Sequence, residues 1–418
     1  MAVDAAIEAG AERAFVFLER LVAEPSVVGD EASAQDVVAE EFDRLGFSAE
    51  HLAIPDDIGE HEAAGVPLRP YEGRGNVVGL QGLEAGRSLL LAGHVDVVPP
   101  AEPELWASPP FVPVRRDGWL YGRGAGDMKA GFAMISLAVD ALRSVAPDAI
   151  AGPLRVASVI EEECTGNGAL AACLAGALAD AVVLTEPTGL DLLLAGVGIL
   201  WLEITVTGKS AHAQSADTVA NPIDAAIRVI AALRDLESEM NERVDDPALE
   251  GVDHPYNVNV GALRSGDWAS SVPALAHLDV RVGHPTEWTA RRALDRVRSV
   301  IEHATRDDPW LREHPPAIRA SGFRAQGYSL DREHPLARAL SIAHTSAHGT
   351  APHPFGMGST TDARFYLNQF GIPAICYGPT ARNIHGVDEA VELRSIVEGA
   401  RTLARFVASW FAAVEGDA

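Results

Sequence analysis

The sequence predicts an α/β fold in which a mixed, mostly parallel sheet is covered by helices and interrupted by a smaller inserted α+β unit. In residues 1–196, and again in 307–418, short continuous apolar runs alternate with helical patterns, as in strands buried on both faces of a parallel sheet. In residues 197–306, apolar and polar residues alternate with period two, which indicates an antiparallel sheet with one wet face. A chain of 418 residues also exceeds the usual domain size of about 50–250 residues. We therefore expect a split domain with an insert.

The first segment, 1–196, is predicted to begin with two amphipathic helices. Val37, Val38, Phe42 and Leu45 recur at helical spacing in the second of them. Strands without polar alternation then follow in turn with helices, as in parallel sheets. The predicted elements are helices at 4–23, 31–45, 129–146 and 167–180 and strands at 88–94, 154–160 and 181–186.

The insert, 197–306, has a β-α-β-β-α order. Leu200, Leu202, Ile204 and Val206 occupy one face of its first strand and polar residues the other. The predicted elements are strands at 200–208, 257–263 and 276–282 and helices at 221–238 and 287–305.

The last segment, 307–418, returns to the first style. A glycine-rich loop at 354–365 lies between a helix and a buried strand. The predicted elements are helices at 335–347 and 393–414 and a strand at 371–379.

Composition and charge exclude several classes of function. The formal net charge of −26 argues against nucleic acid or an anionic membrane as partner. The chain start lacks the basic end and unbroken apolar stretch of a signal peptide, and no run approaches about 20 apolar residues. Three cysteines without CxxC spacing indicate a reducing compartment, so we expect a cytoplasmic protein.

Histidines and carboxylates follow four of the predicted strands. His94 and Asp96 follow the strand at 88–92, three glutamates follow that at 154–160, Glu186 ends that at 181–185, and His385 comes soon after that at 372–377. Asp127 stands in a glycine-rich loop just ahead of its helix. The carboxyl ends of parallel strands meet at one crevice, where so many like charges would repel without a counter-charge. Two divalent cations resolve this, and mixed nitrogen and oxygen ligands suit zinc, cobalt or manganese.

Two simpler interpretations compete with a metal site. Each strand-end glutamate, taken singly, fits a solvated surface residue, and a lone histidine fits a hydrogen-bonded core residue. The glycine-rich loop at 122–131 also suggests a nucleotide site in a doubly wound fold. That loop lacks both the GxGxxG context and a Walker lysine–serine end.

Six motifs in order resemble the co-catalytic metallopeptidase and deacylase family, which includes acetylornithine deacetylase, succinyl-diaminopimelate desuccinylase, aminoacylase and glutamate carboxypeptidase. The resemblance covers nearly the whole chain. It implies a zinc-peptidase-like catalytic domain with a ferredoxin-like lid that also forms a homodimer. The motifs are GHVDVVP (93–99), GRGAGDMKAG (122–131), EEECTGNG (161–168), EP (186–187), GKSAH (208–212) and IHGVDE (384–389).

The resemblance implies a role for each matched residue. Asp127 would bridge two metals, with His94 and Glu186 completing one site and Glu163 and His385 the other. Asp96 would orient the His94 imidazole, as ligating histidines generally require. The catalytic and substrate-binding roles fall to a further set: Glu162 as the general base on a metal-bridging water, His212 as an oxyanion stabiliser from the partner subunit, Arg281 on the substrate carboxylate, and Asn259, Thr360 and Gly378 as further substrate contacts.

The implied reaction is hydrolysis of an N-acyl amino acid, N-acetyl first, at two divalent metals, with zinc first and cobalt or manganese as alternatives. The sequence of the motif EEECTGNG is most similar to that of acetylornithine-deacetylase-like members of the family. A dipeptidase, a carboxypeptidase and an N-succinyl amino acid desuccinylase stay open, as does a metal-free, non-catalytic relative. Departures at 269–273, where serines replace the usual asparagine, and at Thr380 put the substrate in doubt.

Overall fold

The computed structural model describes residues 2–82 and 86–412. Its helices are α1 (Ala2–Ala23), α2 (Ala32–Arg44), α3 (Ala130–Val145), α4 (Asn167–Leu174), α5 (Pro222–Asn241), α6 (Ala290–Thr305), α7 (Pro309–Glu313), α8 (Pro335–His348), α9 (Ala363–Phe370) and α10 (Leu393–Ala412).

Its strands are β1 (Ser48–Ala53), β2 (Gly75–Gln81), β3 (Leu89–His94), β4 (Val114–Arg116), β5 (Trp119–Tyr121), β6 (Leu154–Val159), β7 (Val182–Leu184), β8 (Leu192–Gly196), β9 (Gly198–Thr207), β10 (Ala211–His212), β11 (Val258–Ser265), β12 (Ser271–Val272), β13 (Leu275–His284), β14 (Ala317–Ala325), β15 (Tyr328–Ser329), β16 (Pro354–Met357), β17 (Ala374–Cys376), β18 (Ala381–Arg382) and β19 (Ala390–Glu392).

The central sheet has the order β1-β2-β6-β3-β7-β17-β8-β15, with β16 also paired to β8. The four strands β6, β3, β7 and β17 run parallel, while β2 and β8 flank them antiparallel. Every residue of β3 is buried, as expected for a strand covered on both faces. The predicted mixed α/β sheet is confirmed.

Helices from distant parts of the chain cover this sheet. α3 packs against α1 and α10, and α10 also packs against α8. Their apolar residues join those of the sheet in one hydrophobic core, which includes Leu18, Phe132 and Phe406. The first and last segments of the chain therefore fold together.

A second sheet, of order β11-β13-β9-β14, is antiparallel throughout and has its own hydrophobic core with α5 and α6. Leu200, Leu202, Ile204 and Val206 of β9 are buried, as the period-two pattern predicted. With β14 the order is β-α-β-β-α-β, the ferredoxin-like topology. We call this unit the lid.

Several elements differ from those predicted, including β1 and β2 at one end of the central sheet, which were missed. α4 ends at Leu174 instead of 180, because Gly176 takes a left-handed φ of +88° that terminates the helix. β8 and β14 were missed. The domain limits at 196 and 306 stay a prediction, and because β14 pairs with β9, we propose that the lid extends to about residue 325. The end of the helix predicted at 393–414 lies outside the described residues.

No helix within residues 2–82 and 86–412 combines the length and apolarity that a bilayer-spanning segment requires.

Candidate metal centre and substrate cleft

Four neighbouring parallel strands bring the predicted residues to one edge of the central sheet. His94 is the last residue of β3, the three glutamates follow β6, Glu186 follows β7, and His385 follows β17. Because β6, β3, β7 and β17 are adjacent and parallel, their carboxyl ends lie side by side. The topology thus produces the convergence that the sequence pattern indicated.

Two groups of three potential ligands share one carboxylate. His94, Asp127 and Glu186 form the first group, and Asp127, Glu163 and His385 the second, with ligand atoms within 4.8 Å of one another in each. Nε2 of His94 lies 3.4 Å from one carboxylate oxygen of Asp127, and Nε2 of His385 lies 3.4 Å from the other. Asp127 therefore has the position that a bridging ligand needs.

Two ligand atoms of the first group are buried without a hydrogen-bond partner among the described residues. They are Nε2 of His94 and Oε1 of Glu186. Buried polar atoms are nearly always paired. Because Nδ1 of His94 contacts the Asp96 carbonyl oxygen at 2.9 Å, its Nε2 can offer a lone pair, as the Glu186 oxygen does, and two such acceptors suit a cation. Imidazole nitrogen with carboxylate oxygens is a donor set suited to zinc and its neighbours.

The charges of the centre are unbalanced. Burial lowers the pKa of His94 and of His385, but the surrounding carboxylates outweigh it, so the pKa of His94 lies well above its ordinary value and that of His385 at about 11. Burial raises the pKa of Glu186 to about 8 and also raises that of Glu163. Asp127 is buried as well, yet hydrogen bonds from the two histidines lower its pKa. Three carboxylates face two histidines, which favours added cations.

Asp127 is held from behind by Glu389, whose role the sequence analysis missed. The backbone N–H groups of Gly126 and Asp127 each donate to Oε1 of Glu389 at 2.9 Å. The other oxygen of Glu389 pairs with the buried guanidinium of Arg123. Glu389 belongs to the motif IHGVDE, which was the available signal. Because Glu389 occupies these N–H groups, the loop at 122–131 does not form the predicted alternative, a phosphate cradle.

Glu162 lies beside both groups but belongs to neither. Its Oε2 is 3.9 Å from Nε2 of His94. Burial, with the nearby charges of Asp362, Glu186 and Glu163, raises its pKa well above the ordinary value. Its neighbour Glu163 contacts His385 at 3.0 Å. The geometry therefore places Glu163 in a ligand group and Glu162 outside both groups, which is the division that the resemblance implied.

Glu161 turns away from the centre into a buried network. Its carboxylate accepts hydrogen bonds from Tyr71 Oη at 2.8 Å, Thr165 Oγ1 at 2.6 Å and Arg74 Nη2 at 2.8 Å. Arg74 also pairs with Glu31. This network anchors the turn from which Glu162 and Glu163 project.

Asp362 is a second residue that the sequence analysis missed. It is 1% exposed, and neither of its carboxylate oxygens has a hydrogen-bond partner among the described residues. The nearest cation, Arg364 Nη1, is 3.6 Å away. Burial raises the pKa of Asp362 to about 7. The glycine-rich loop at 354–365 was noticed, but nothing in it distinguished this aspartate.

A cleft of about 410 Å³ lies between the metal centre and the lid. Its lining includes Glu162, Glu163, Glu186 and His385 on one side and Arg281 of β13 on the other. Burial lowers the pKa of Arg281. Its guanidinium donates to the carbonyl of Gly358 at 3.1 Å and to no carboxylate among the described residues. Thr360 also lines the cleft, and its Oγ1 is buried without a partner there.

Besides His94 and Asp96, which are buried, three predicted site residues do not line this cleft within one chain. His212 is exposed on the lid, where its Nδ1 accepts a hydrogen bond from the N–H of Gln214. Asn259 is exposed on β11, opposite Arg281 in the ladder. Gly378 packs on the backbone of Glu186, and a Cβ there would lie 2.3 Å from the Glu186 carbonyl oxygen. Gly378 therefore shapes the turn that carries Glu186.

Comparisons of this chain with a family model, with known sequences and with solved structures agree with one another. The model of peptidase family M20/M25/M40 matches residues 90–409. The N-formyl-4-amino-5-aminomethyl-2-methylpyrimidine deformylase of Bacillus subtilis (strain 168) is 28% identical over 362 residues, 81% of this chain and 84% of that protein. The succinyl-diaminopimelate desuccinylase of Stenotrophomonas maltophilia (strain R551-3) is 29% identical over 389 residues, 89% of this chain and 92% of that one. The dipeptidase Dug1p of Saccharomyces cerevisiae has the same fold, with a TM-score of 0.80 at 15% identity over 99% of both chains.

Proposed function

Because this chain belongs to peptidase family M20/M25/M40 and is therefore a metal-dependent hydrolase of amide bonds, we propose that it cleaves N-acyl L-amino acids, N-acetyl derivatives first. The observation that carries the proposal is the pair of ligand groups sharing Asp127 beside a cleft that contains Arg281. A guanidinium without a carboxylate partner suits a substrate with one free carboxylate.

The residues that would hold the cations are the five predicted ligands. His94 and Glu186 would complete one site and Glu163 and His385 the other, with Asp127 between them. Zinc is our first choice, with cobalt or manganese as alternatives. Bound cations would supply a Lewis acid that polarises the acyl carbonyl and makes water acidic near neutral pH.

Glu162 is placed to move the proton of the attacking water. It lines the cleft, it is outside both ligand groups, and burial raises its pKa well above the ordinary value, which makes the protonated form easier to reach. The same carboxyl would then donate the proton to the leaving amine. Arg281 would hold the carboxylate of the substrate and so align the scissile amide with Glu162.

His212 would reach a cleft only from a second copy of the chain, because it is exposed on the lid and outside the cleft of its own chain. We therefore keep the proposal of a homodimer through the lid, in which the His212 of each protomer stabilises the oxyanion at its partner's site. The proposed substrates are small molecules, and the net charge of −26 disfavours nucleic acid and anionic membranes.

The desuccinylase and deformylase relatives and the dipeptidase fold define the alternatives. An activity panel with added zinc, cobalt or manganese, comparing N-acetyl and N-succinyl amino acids, dipeptides and an N-formyl heteroaromatic amine, distinguishes them. Turnover of dipeptides alone would remove the deacylase proposal.

Adjacent glutamates provide matched variants for the mechanism. Glu162→Ala should keep both metals and lose about 10²–10⁴-fold in kcat, since only the proton carrier is removed. Glu163→Ala should lose metal as well, measured by elemental analysis after dialysis. Fewer than one metal per chain in the wild type, with metal supplied during purification, would support a non-catalytic relative instead.

A further inference from the structure

The cleft beside the metal centre has two apolar walls, one from each unit of the chain. Ile199, Trp201 and Phe323 come from the lid, and Leu193, Phe355 and Met357 come from the central sheet and its neighbouring strand. Ligand pockets are commonly apolar with a few placed polar groups, so the identity of these walls bears on which substrate fits.

The lid wall is a fixed aromatic pair. The rings of Trp201 and Phe323 meet edge to face, with centroids 5.3 Å apart and an interplanar angle of 87°. Gly322 has a φ of +56°, and a Cβ there would lie 2.5 Å from Cε3 of Trp201, so only glycine admits the indole. The guanidinium of Arg364 lies 5.3 Å from the Phe323 ring centroid and braces it. The positions of the Trp201 and Phe323 rings are therefore fixed by their neighbours.

The opposite wall is built on a pair of parallel strands. Phe355 of β16 is opposite Leu193 of β8 in the ladder, and Met357 follows two residues later. All three side chains line the cleft. A group held between the walls would contact apolar atoms on both sides, which removes its own apolar surface from water.

The described residues that line the cleft offer one cation that is not a predicted metal ligand. Among its described lining residues, Arg281 and His385 carry the positive charges, and His385 is a predicted metal ligand. A substrate with a second carboxylate, such as a succinyl group or an aspartyl side chain, would leave that charge unpaired against aromatic walls and the carboxylates of the centre. Burying an unpaired charge is strongly unfavourable.

The register of the lid sheet places the apolar wall next to the carboxylate site. Trp201 of β9 is directly opposite Arg281 of β13. Directly opposed side chains in a ladder have Cβ atoms about 4.5–5.5 Å apart. The carboxylate and the side chain of an amino acid leave the same Cα, so a carboxylate held by Arg281 brings that side chain against Trp201.

We propose, on the basis of the function proposed above, that this cleft selects N-acyl amino acids with a single carboxylate and a large apolar side chain. Trp201 is the principal specificity-determining residue. Leucine and aromatic derivatives are the preferred class, and acidic or N-succinyl derivatives are disfavoured.

The test measures kcat/KM for the N-acetyl derivatives of alanine, leucine, phenylalanine and aspartate. Each buried methylene contributes about fourfold, so leucine should exceed alanine on the order of 50-fold, and aspartate should fall below alanine. Equal values for alanine and leucine, or a preference for aspartate, would overturn the proposal.

Two variants of Trp201 test whether this residue produces the preference for a large apolar side chain. Trp201→Ala should reduce the leucine-to-alanine ratio of kcat/KM at least tenfold, whereas Trp201→Phe should keep most of it. Trp288→Ala is the matched control, because Trp288 belongs to the lid but does not line the cleft. A ratio that changes equally in Trp201→Ala and Trp288→Ala would refute the assignment.

Binding separates this inference from the function on which it rests. Calorimetric titration of metal-loaded Glu162→Ala with the same four derivatives measures recognition without turnover. Side-chain-dependent binding with no turnover by the wild type would remove the proposed function and retain the apolar cleft. Turnover without side-chain dependence would remove the apolar cleft and retain the proposed function.

Discussion

Replacing Arg74 tests how the turn that bears Glu162, the proposed general base, and Glu163, a proposed metal ligand, is held in place. Its guanidinium joins two carboxylates that are both 0% exposed, donating to Glu31 through Nε at 2.8 Å and to Glu161 through Nη2 at 2.8 Å. Arg74→Ala would leave both carboxylates buried without their cation. We therefore expect a large loss of stability together with a displaced turn at 161–163.

The expected loss of stability in Arg74→Ala depends on the hydrogen bonds that each carboxylate retains. Glu161 retains the hydroxyls of Tyr71 and Thr165, and Glu31 retains the N–H of Gly29. Removing one partner of a buried pair costs about 3–5 kcal/mol, and these remaining hydrogen bonds place the value near the lower end, about 3 kcal/mol. Arg74→Lys should lose less, because an ammonium keeps the charge but not the planar fork.

The assay is urea unfolding of metal-loaded protein, with kcat/KM measured on the same samples. Arg20→Ala is the matched control, since Arg20 and Glu40 are 2.7 Å apart but 53% and 66% exposed. That surface pair is worth at most about 1 kcal/mol. If Arg74→Ala lost no more stability than Arg20→Ala, the buried network would not hold the turn, and the reasoning would be refuted.

Two further predictions concern pH and assembly. His344 and His348 are partly buried with ring centroids 4.4 Å apart; burial lowers the pKa of both, that of His344 to about 4. The unfolded chain therefore binds more protons below about pH 6.5, so the melting temperature should fall between pH 6.5 and 4, and His344→Gln should flatten that dependence. Inactive His212→Ala and Glu162→Ala proteins, mixed under conditions of subunit exchange, should regain about a quarter of wild-type activity, because half the dimers are mixed and one of their two sites is intact. No recovery, with exchange verified, would remove His212 from the partner's site.

The convergence of the proposed metal ligands could be predicted from the sequence, whereas the contacts that support them could not, for a physical reason. His94, Glu186 and the three glutamates at 161–163 lie at or just after the ends of buried apolar strands, and adjacent parallel strands align their carboxyl ends. Glu389 acts through contacts across the fold instead. The bonds from Glu389 to Gly126 and Asp127 span more than 260 residues, so no local pattern signals them.

In the lid, too, one strand could be predicted from the sequence and another could not. β9 alternates cleanly between buried and exposed residues and was found, whereas β14 has a burial pattern broken between Ala320 and Arg324, where the register shifts. A bulged edge strand loses period-two alternation, so its sequence does not resemble a strand. β8 was missed although its five residues are all buried, as are those of β3, which was predicted.

Asp96 lies beside the proposed metal ligands as expected, but its carboxylate makes different contacts from those we predicted. We expected its carboxylate to orient the imidazole of His94, but the Nδ1 of His94 lies nearer the Asp96 carbonyl oxygen, at 2.9 Å, than its Oδ1, at 3.5 Å. The carboxylate instead accepts the N–H groups of Glu162 at 3.2 Å and Glu163 at 3.1 Å. One residue thus links His94 at the end of β3 to Glu162 and Glu163 after β6. Since adjacent residues of a strand face opposite ways, both glutamates can serve the centre only where the strand has ended, and Asp96 binds the backbone at that point.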